Sequence, residues 1–270
     1  MSNFSDFIGG GGSASYPTIF LSKSQTWVPP QDGNIMIHVI GAGGSGGASN
    51  TTSYSSGAAG GYCRKNSLAV TTAGSFTVVV GAGGAGVNGN NNSDGNPGGT
   101  TSVAGTGLSA PLRAFGGEAG KIGTAAGGSA DGGDVNNTGG AGTIQGGGGA
   151  VGLIGTGNAG LSYGDAGIGG ACDVVGDFWS SSFGQIAGDM GASGVYYNGN
   201  ATLLAPQPFP AGPLAGGGYS RTDRTTQYGY TLGGDATIGG GGGGCDNSAA
   251  NWSAFSGRGG EGCVVIQYIP

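Results

Sequence analysis

The residues able to do chemistry are few. The chain has one histidine, His38, and four cysteines, Cys63, Cys172, Cys245 and Cys263. Two segments, Gly160-Leu-Ser162-Tyr-Gly164 and Gly43-Gly-Ser45-Gly-Gly47, match the pattern of a nucleophile elbow. An elbow needs a strand before it, a helix after it and a triad histidine downstream. His38 lies upstream of both serines, inside the apolar run Ile35-Met-Ile-His-Val-Ile40, and reads as a sheet histidine with a local hydrogen bond. Gly41, Gly43 and Gly46 fit the dinucleotide fingerprint G-x-G-x-x-G, which must open a helix and be answered by an acid about 20 residues on. Here Ala-Ser-Asn-Thr-Thr-Ser follows, with no acid before Val70, and the same spacing recurs at Gly81, Gly83 and Gly86. Asn90-Asn-Asn92-Ser-Asp94-Gly95 resembles the start of a calcium loop, but its twelfth position is Thr101 in place of the bidentate Glu. Gly120-Lys121 is followed by Ile122, so no phosphate loop is formed. The cysteines include no C-x-x-C pair and read as reduced, buried side chains rather than a zinc site. The carboxylates are scattered, and no acid–base pair stands out. The expectation is a protein that is not an enzyme and holds no cofactor and no metal.

Composition decides what kind of elements carry these residues. Of 270 residues, 70 are glycine, 8% are charged and the formal net charge is −6. Ten prolines are too few for collagen, which needs roughly 15–20% and an unbroken triplet. A chain poor in Lys and Arg is unsuited to nucleic acid, because phosphate neutralisation needs a basic surface. Long helices are disfavoured, since each interior glycine costs about 1 kcal/mol relative to alanine. Disorder is disfavoured too, because 36% of the residues are apolar and they cluster at both ends and in islands. Met1-Ser2-Asn3-Phe4-Ser5-Asp6-Phe7-Ile8 lacks the basic flank and apolar core of an export signal, and 35–40 is far shorter than the roughly 20 residues of a membrane span.

Strand-type runs, β-branched or aromatic and bounded by Gly or Pro, lie at 18–21, 27–30, 35–40, 62–70, 75–80, 112–115 and 263–268. The last resembles the early ones, so the C-terminus is expected to return to an N-terminal antiparallel framework. Within the long insertion, Gly117, Gly120 and Gly123 are spaced by three, as are Gly149, Gly152 and Gly155, Gly164, Gly167 and Gly170, and Gly188, Gly191 and Gly194. Three residues per turn is the period of a polyproline-II-type helix, which has no internal hydrogen bonds. Its backbone groups still need partners, and glycine lets neighbouring chains approach closely enough to supply them. The fold class expected is all-β: an antiparallel β-sandwich-like framework carrying a polyglycine-II helix bundle, with little or no α-helix. The division expected is an N-terminal anchoring peptide and linker at 1–24, the β-framework at 25–117, the bundle with its loops at 118–257 and a closing strand at 258–270.

Three stretches carry a resemblance. Trp27-Val-Pro-Pro with Ile35-Met-Ile-His-Val-Ile-Gly-Ala-Gly-Gly-Ser-Gly-Gly, then Gly60-Gly-Tyr-Cys-Arg-Lys with Phe76-Thr-Val-Val-Val-Gly-Ala-Gly-Gly-Ala-Gly, and finally Gly257-Arg-Gly-Gly-Glu-Gly-Cys-Val-Val-Ile-Gln-Tyr are similar to the glycine-rich domains of bacteriophage tail-fibre and receptor-binding proteins. The resemblance covers about residues 25–270, with the islands diverging. It implies a virion part, made in the host cytoplasm, that displays loops from a rigid polyglycine-II scaffold. In the T-even distal adhesins such loops contact the host receptor. Residues 1–24, which precede the resemblance, are not expected to form the long N-terminal attachment domain of those adhesins.

The islands between glycine runs supply the candidate contacts. Tyr and Trp offer large contact area at little conformational entropy, and the receptor-binding candidates are Trp179, Phe183, Tyr196, Tyr197, Phe209, Tyr228 and Trp252. Each could instead pack beneath its own loop. Phe4, Phe7 and Ile8 are the candidates for anchoring to the virion. The partners expected are other virion tail or fibre proteins and a host surface glycan or outer-membrane protein, with no nucleic acid, no membrane insertion and a homo-oligomer left open. The alternative is a purely structural fibre or decoration protein.

Overall fold

The computed structural model describes residues 16–49, 54–88, 92–144, 148–163, 166–168, 197–198, 202–203, 221–223, 231–232, 235–236, 238–247 and 254–270, with side chains outside 161–234 and 246–254. In chain order the strands are β1 (Thr18–Leu21), β2 (Gln25–Trp27), β3 (Gly33–Ile40), β4 (Ala48–Ser49), β5 (Tyr62–Val70), β6 (Phe76–Val79), β7 (Thr101–Gly105), β8 (Leu112–Ala114), β9 (Ala130–Asp131) and β10 (Val135–Asn137). Then come β11 (Leu161–Tyr163), β12 (Ala166–Ile168), β13 (Tyr197–Asn198), β14 (Thr202–Leu203), β15 (Arg221–Asp223), β16 (Thr231–Leu232), β17 (Cys245–Asn247), β18 (Ala254–Phe255) and β19 (Cys263–Ile269). The fold is all-β, and the described residues contain no helix.

Two antiparallel sheets, ordered β1-β19-β3-β5-β10 and β2-β6-β7-β8-β9, face each other as a sandwich. Alternation in the strands sets which side chains meet. Ile35, Ile37 and Val39 of β3, Phe76 and Val78 of β6, and Val264 and Ile266 of β19 point into one core. Trp27 and Phe76 pack with ring centroids 5.4 Å apart. Each fully buried side chain of this size contributes about 1.5–3 kcal/mol. The C-terminal strand lies between β1 and β3, with Val265 opposite both Phe20 and His38.

The glycine bundle grows out of these sheets with the same neighbours. Where β3 ends at Ile40, paired with Tyr62 and Cys263, the chain continues into 41–47. There the bonds run from Gly41, Gly44 and Gly47 N–H to Gly61, Ala58 and Ser55 C=O, and from Gly43 and Gly46 to Gly260 and Gly257, at 2.8–3.1 Å. Ala42, Ser45 and Ala48 donate to Gly99, Asn96 and Ser93. Donors three apart therefore reach the same neighbour and consecutive donors reach three different ones, which is the geometry of a polyglycine-II helix with three residues per turn. Segment 41–47 also accepts bonds from Gly84, Gly117, Gly120, Gly242 and Cys245, so it has neighbours on six sides. Segment 55–61 is enclosed in the same way, by 41–47, 115–121, 125–128, 138–143, 148–151 and 239–244. Two sheets held about 10 Å apart by side chains thus close into a dense bundle once the side chains are gone.

The division expected from sequence is not how the chain is laid out. β1 lies inside the span assigned to the linker, the central bundle segments 41–47 and 55–61 lie inside the span assigned to the framework, and β9 and β10 lie inside the span assigned to the bundle. Sandwich and bundle alternate along the chain because each polyglycine segment extends a strand. The glycine triplets expected to mark the bundle also fall differently. Gly117 and Gly120 lie in it, but Gly123 has φ +101° in a turn, and Gly152 and Gly155 belong to the turn between 148–151 and 156–160. Gly167 pairs with Ser162 in the β11–β12 hairpin, while Gly164, Gly170, Gly188, Gly191 and Gly194 lie outside the described residues.

Candidate functional site

The polyglycine segments run between two ends. One is the sandwich. At the other lie 48–49, Tyr54, Asn88, Asn92, the turn 121–124 and 143–144, and the described strands β11, β12 and β15 to β18 are joined to that end by pairing. β4 pairs with β17, β17 with β15, β15 with β12 and β12 with β11. β16 pairs with β18, and Asn88 bridges to Phe255. The chain beyond Gly160 departs from this end, since Gly160 N–H bonds Ala141 C=O and its own C=O accepts from Thr143 Oγ1.

Buried hydroxyls finish the lattice toward this end. Ser45, Ser55, Ser56 and Ser256 Oγ accept N–H bonds from Asn96, Lys121, Gly244 and Val87 at 2.8–3.0 Å. Each supplies an acceptor where the polyglycine ladder provides no carbonyl, and an unpaired buried N–H would cost about 1–3 kcal/mol. The buried Tyr54 ring lies against Gly47, and burial together with the Asp94 carboxylate raises its pKa. Ser49 Oγ donates to Asn92 Oδ1 at 2.7 Å, and Asn92 sits at φ +57°. Glu118 accepts from Ala126 N–H and pairs with Lys121 at 2.6 Å, which lowers its pKa.

The candidate receptor contacts Trp179, Phe183, Tyr196, Phe209, Tyr228 and Trp252 lie outside the described residues, as do Phe4, Phe7 and Ile8. Tyr197 is placed by its backbone, in β13 opposite Leu203 of β14. Sequence reasoning missed three apolar residues that the turn end does present: Ile122, 67% exposed, Ile144 and Phe255. The only sequence signal for Ile122 is an isolated large apolar residue between a lysine and a turn glycine.

Of the residues with catalytic-looking spacing, His38 and Ser45 are hydrogen-bonded within the sandwich and the bundle. His38 is buried, with Nδ1 2.7 Å from Tyr62 Oη and Nε2 2.9 Å from Gln267 Oε1. Nε2–H donates to the amide oxygen, so Nδ1 accepts from the phenol. Burial lowers its pKa to about 4, against a raising effect of Gln267. Ser45 of one elbow-like motif accepts the Asn96 N–H. Cys63, Cys245 and Cys263 are buried and form no disulfide with one another, and burial pushes Cys63 up to about 11. Among the described residues no three His, Cys, Asp or Glu side chains gather as metal ligands.

A β-sandwich continued by a polyglycine-II bundle is the architecture of a glycine-rich domain. The model of a glycine-rich domain family matches residues 19–269, and the chain belongs to that family. The chain matches no curated protein.

Proposed function

We propose that this protein is a bacteriophage virion component, a tail-fibre or tail-tip adhesin that binds a host surface glycan or outer-membrane protein without enzymatic chemistry. The observation that carries the reading is the polarity of the scaffold. Strands β1 and β19 sit in the sandwich, while the described chain leaves the bundle after Gly160 and after Gly244 at the opposite end, and the bundle has almost no side chains to deform. Receptor contact would fall to the aromatics Trp179, Phe183, Tyr196, Tyr197, Phe209, Tyr228 and Trp252, joined by Ile122, Ile144 and Phe255 of the turn end. Stacking on sugar faces and filling of apolar pockets are chemistry that Tyr and Trp perform well. Phe4, Phe7 and Ile8 would hold the other end to the virion.

The test is immunogold labelling of the source particles with antibody to this chain, read by electron microscopy. Label at the distal end of a tail or fibre supports the adhesin. Label over the head or shaft supports the structural fibre or decoration protein in its place, and particles without label overturn the virion assignment.

A further inference from the structure

A lattice of polyglycine-II helices has no natural limit. Each helix carries donors and acceptors in several directions, and those that face outward are open to a further chain, as at the edge of a sheet. One flank of this bundle is formed by segments 93–99, 81–87 and 256–262, side by side around 41–47. Gly99 N–H bonds Ala82 C=O, and Gly259 and Gly262 N–H bond Gly84 and Gly81 C=O, at 2.8–2.9 Å.

Three residues per turn give each segment three rows, and close packing identifies the outward one. In 81–87 a Cβ at Gly84 would overlap Asn96 C=O, and at Gly83 and Gly86 it would meet the carbonyls of Gly259 and Ser256. The row left is Ala82 and Ala85, both exposed. In 93–99, Gly95 and Gly98 face the carbonyls of Ser45 and Ala42, while the carbonyls of Asn96 and Gly99 accept from Ser45 and Ala42 N–H. The row left is Asp94 and Pro97, again exposed. In 256–262, Gly259 and Gly262 face the carbonyls of Gly43 and Ile40, and Gly257 and Gly260 N–H bond Gly243 and Gly240 C=O. Arg258 and Glu261 are the exposed row there.

Each outward row is finished in a way that refuses another backbone. Pro97 has no N–H to offer. Inside the bundle neighbouring backbones approach so closely that no methyl fits between them, so the Ala82 and Ala85 methyls hold a further chain off. Asn96 Nδ2 donates to Ala85 C=O at 2.7 Å, and Glu261 Oε2 accepts from Gly83 N–H at 3.2 Å. Two ladder groups that would serve an added chain are thereby taken by side chains. An added chain would also have to strip water from the charges of Asp94, Arg258 and Glu261, which is costly.

We propose that Ala82, Ala85, Asn96, Pro97 and Glu261 close this flank of the bundle, so that a second copy of the chain cannot add a polyglycine segment to it and copies do not join side by side. The inference stands apart from the adhesin reading and needs neither a receptor nor a virion.

Sedimentation equilibrium on the full chain tests it, comparing wild type with the Ala82→Gly, Ala85→Gly, Asn96→Gly, Pro97→Gly variant. The variant is expected to associate at least tenfold more strongly than wild type, with the amides of residues 82 and 85 gaining protection from hydrogen exchange as it does. Melting temperatures at a concentration where both proteins are dissociated report an intact fold. Should the fourfold variant fail to fold, the Ala82→Gly, Ala85→Gly double variant, which alters only exposed methyls, decides by the same readout. Equal association of variant and wild type overturns the proposal, as does protection gained only elsewhere. Wild type that already associates through residues 82 and 85 overturns it as well.

Discussion

Gly43 offers the sharpest test of the bundle. It belongs to the enclosed segment 41–47, and a Cβ added there would overlap the Gly240 carbonyl. The obstructing atoms are backbone, so no side chain can swing aside. Relief requires 239–244 to move away by more than an ångström. That displacement strains the bonds Gly43 N–H to Gly260 C=O, Gly260 N–H to Gly240 C=O and Gly241 N–H to Gly149 C=O, all 2.8–2.9 Å. Losing the equivalent of one buried bond costs about 1–3 kcal/mol, and overpacking adds about 1–3 kcal/mol. A Gly43→Ala loss of about 2–6 kcal/mol is expected, a large part of the 5–15 kcal/mol typical of a domain. At about 2–4 °C per kcal/mol for a domain of this size, the melting temperature should fall by roughly 4–24 °C. Gly155→Ala is the control. A Cβ there meets nothing within 4 Å, and the smaller entropy of the unfolded chain makes it neutral or slightly stabilising, by about 0.4–1 kcal/mol. Calorimetry on both variants decides. If Gly43→Ala melts within two degrees or so of Gly155→Ala, the close packing around 41–47 is wrong.

Further outcomes follow from other parts of the molecule. Ser45→Ala leaves the Asn96 N–H without its acceptor and should destabilise by about 1–3 kcal/mol in a urea melt, more than Ser22→Ala in the exposed β1–β2 link. His38, held neutral with a pKa of about 4, lets the unfolded chain take up a proton at about pH 6.5 while the folded chain does not. Stability should therefore fall as pH drops from about 6.5 to 4 and lose no more on this account below it. The histidine's share is about 3 kcal/mol, measured as the difference in pH dependence between wild type and His38→Gln. Cys63, Cys245 and Cys263, buried and with Cys63 raised to about 11, should stay unmodified by a thiol reagent at pH 8 until the chain is unfolded. On the proposed adhesin reading, exchange of residues 172–214 for the corresponding segment of a similar protein from a phage with another host should alter host-cell binding and leave the melting temperature unchanged. Unaltered binding would count heavily against the adhesin.

The sandwich was legible because side-chain pattern alone dictates it: runs such as 35–40, 76–79 and 263–269 are β-branched or aromatic, and a strand with large apolar residues on one face must bury them. A polyglycine-II bundle could also be expected from the sequence, since so much glycine permits little else that satisfies the backbone. What the sequence could not show was which glycines build it. Spacing by three was sought along the chain, yet the period of three belongs to the hydrogen bonds, and the side chains obey a different constraint. In the enclosed segment 41–47, Ala42 and Ser45 are accommodated, whereas Gly43, Gly44 and Gly46 face carbonyls of Gly240, Glu118 and Gly243. Glycine is obligatory only where a neighbouring backbone fills the place of a Cβ, and that neighbour can be nearly 200 residues away in the chain. For the same reason the interleaving of sandwich and bundle, the departure of the chain after Gly160 and Gly244 from one end, and the exposure of Ile122 there were decided only by the tertiary structure.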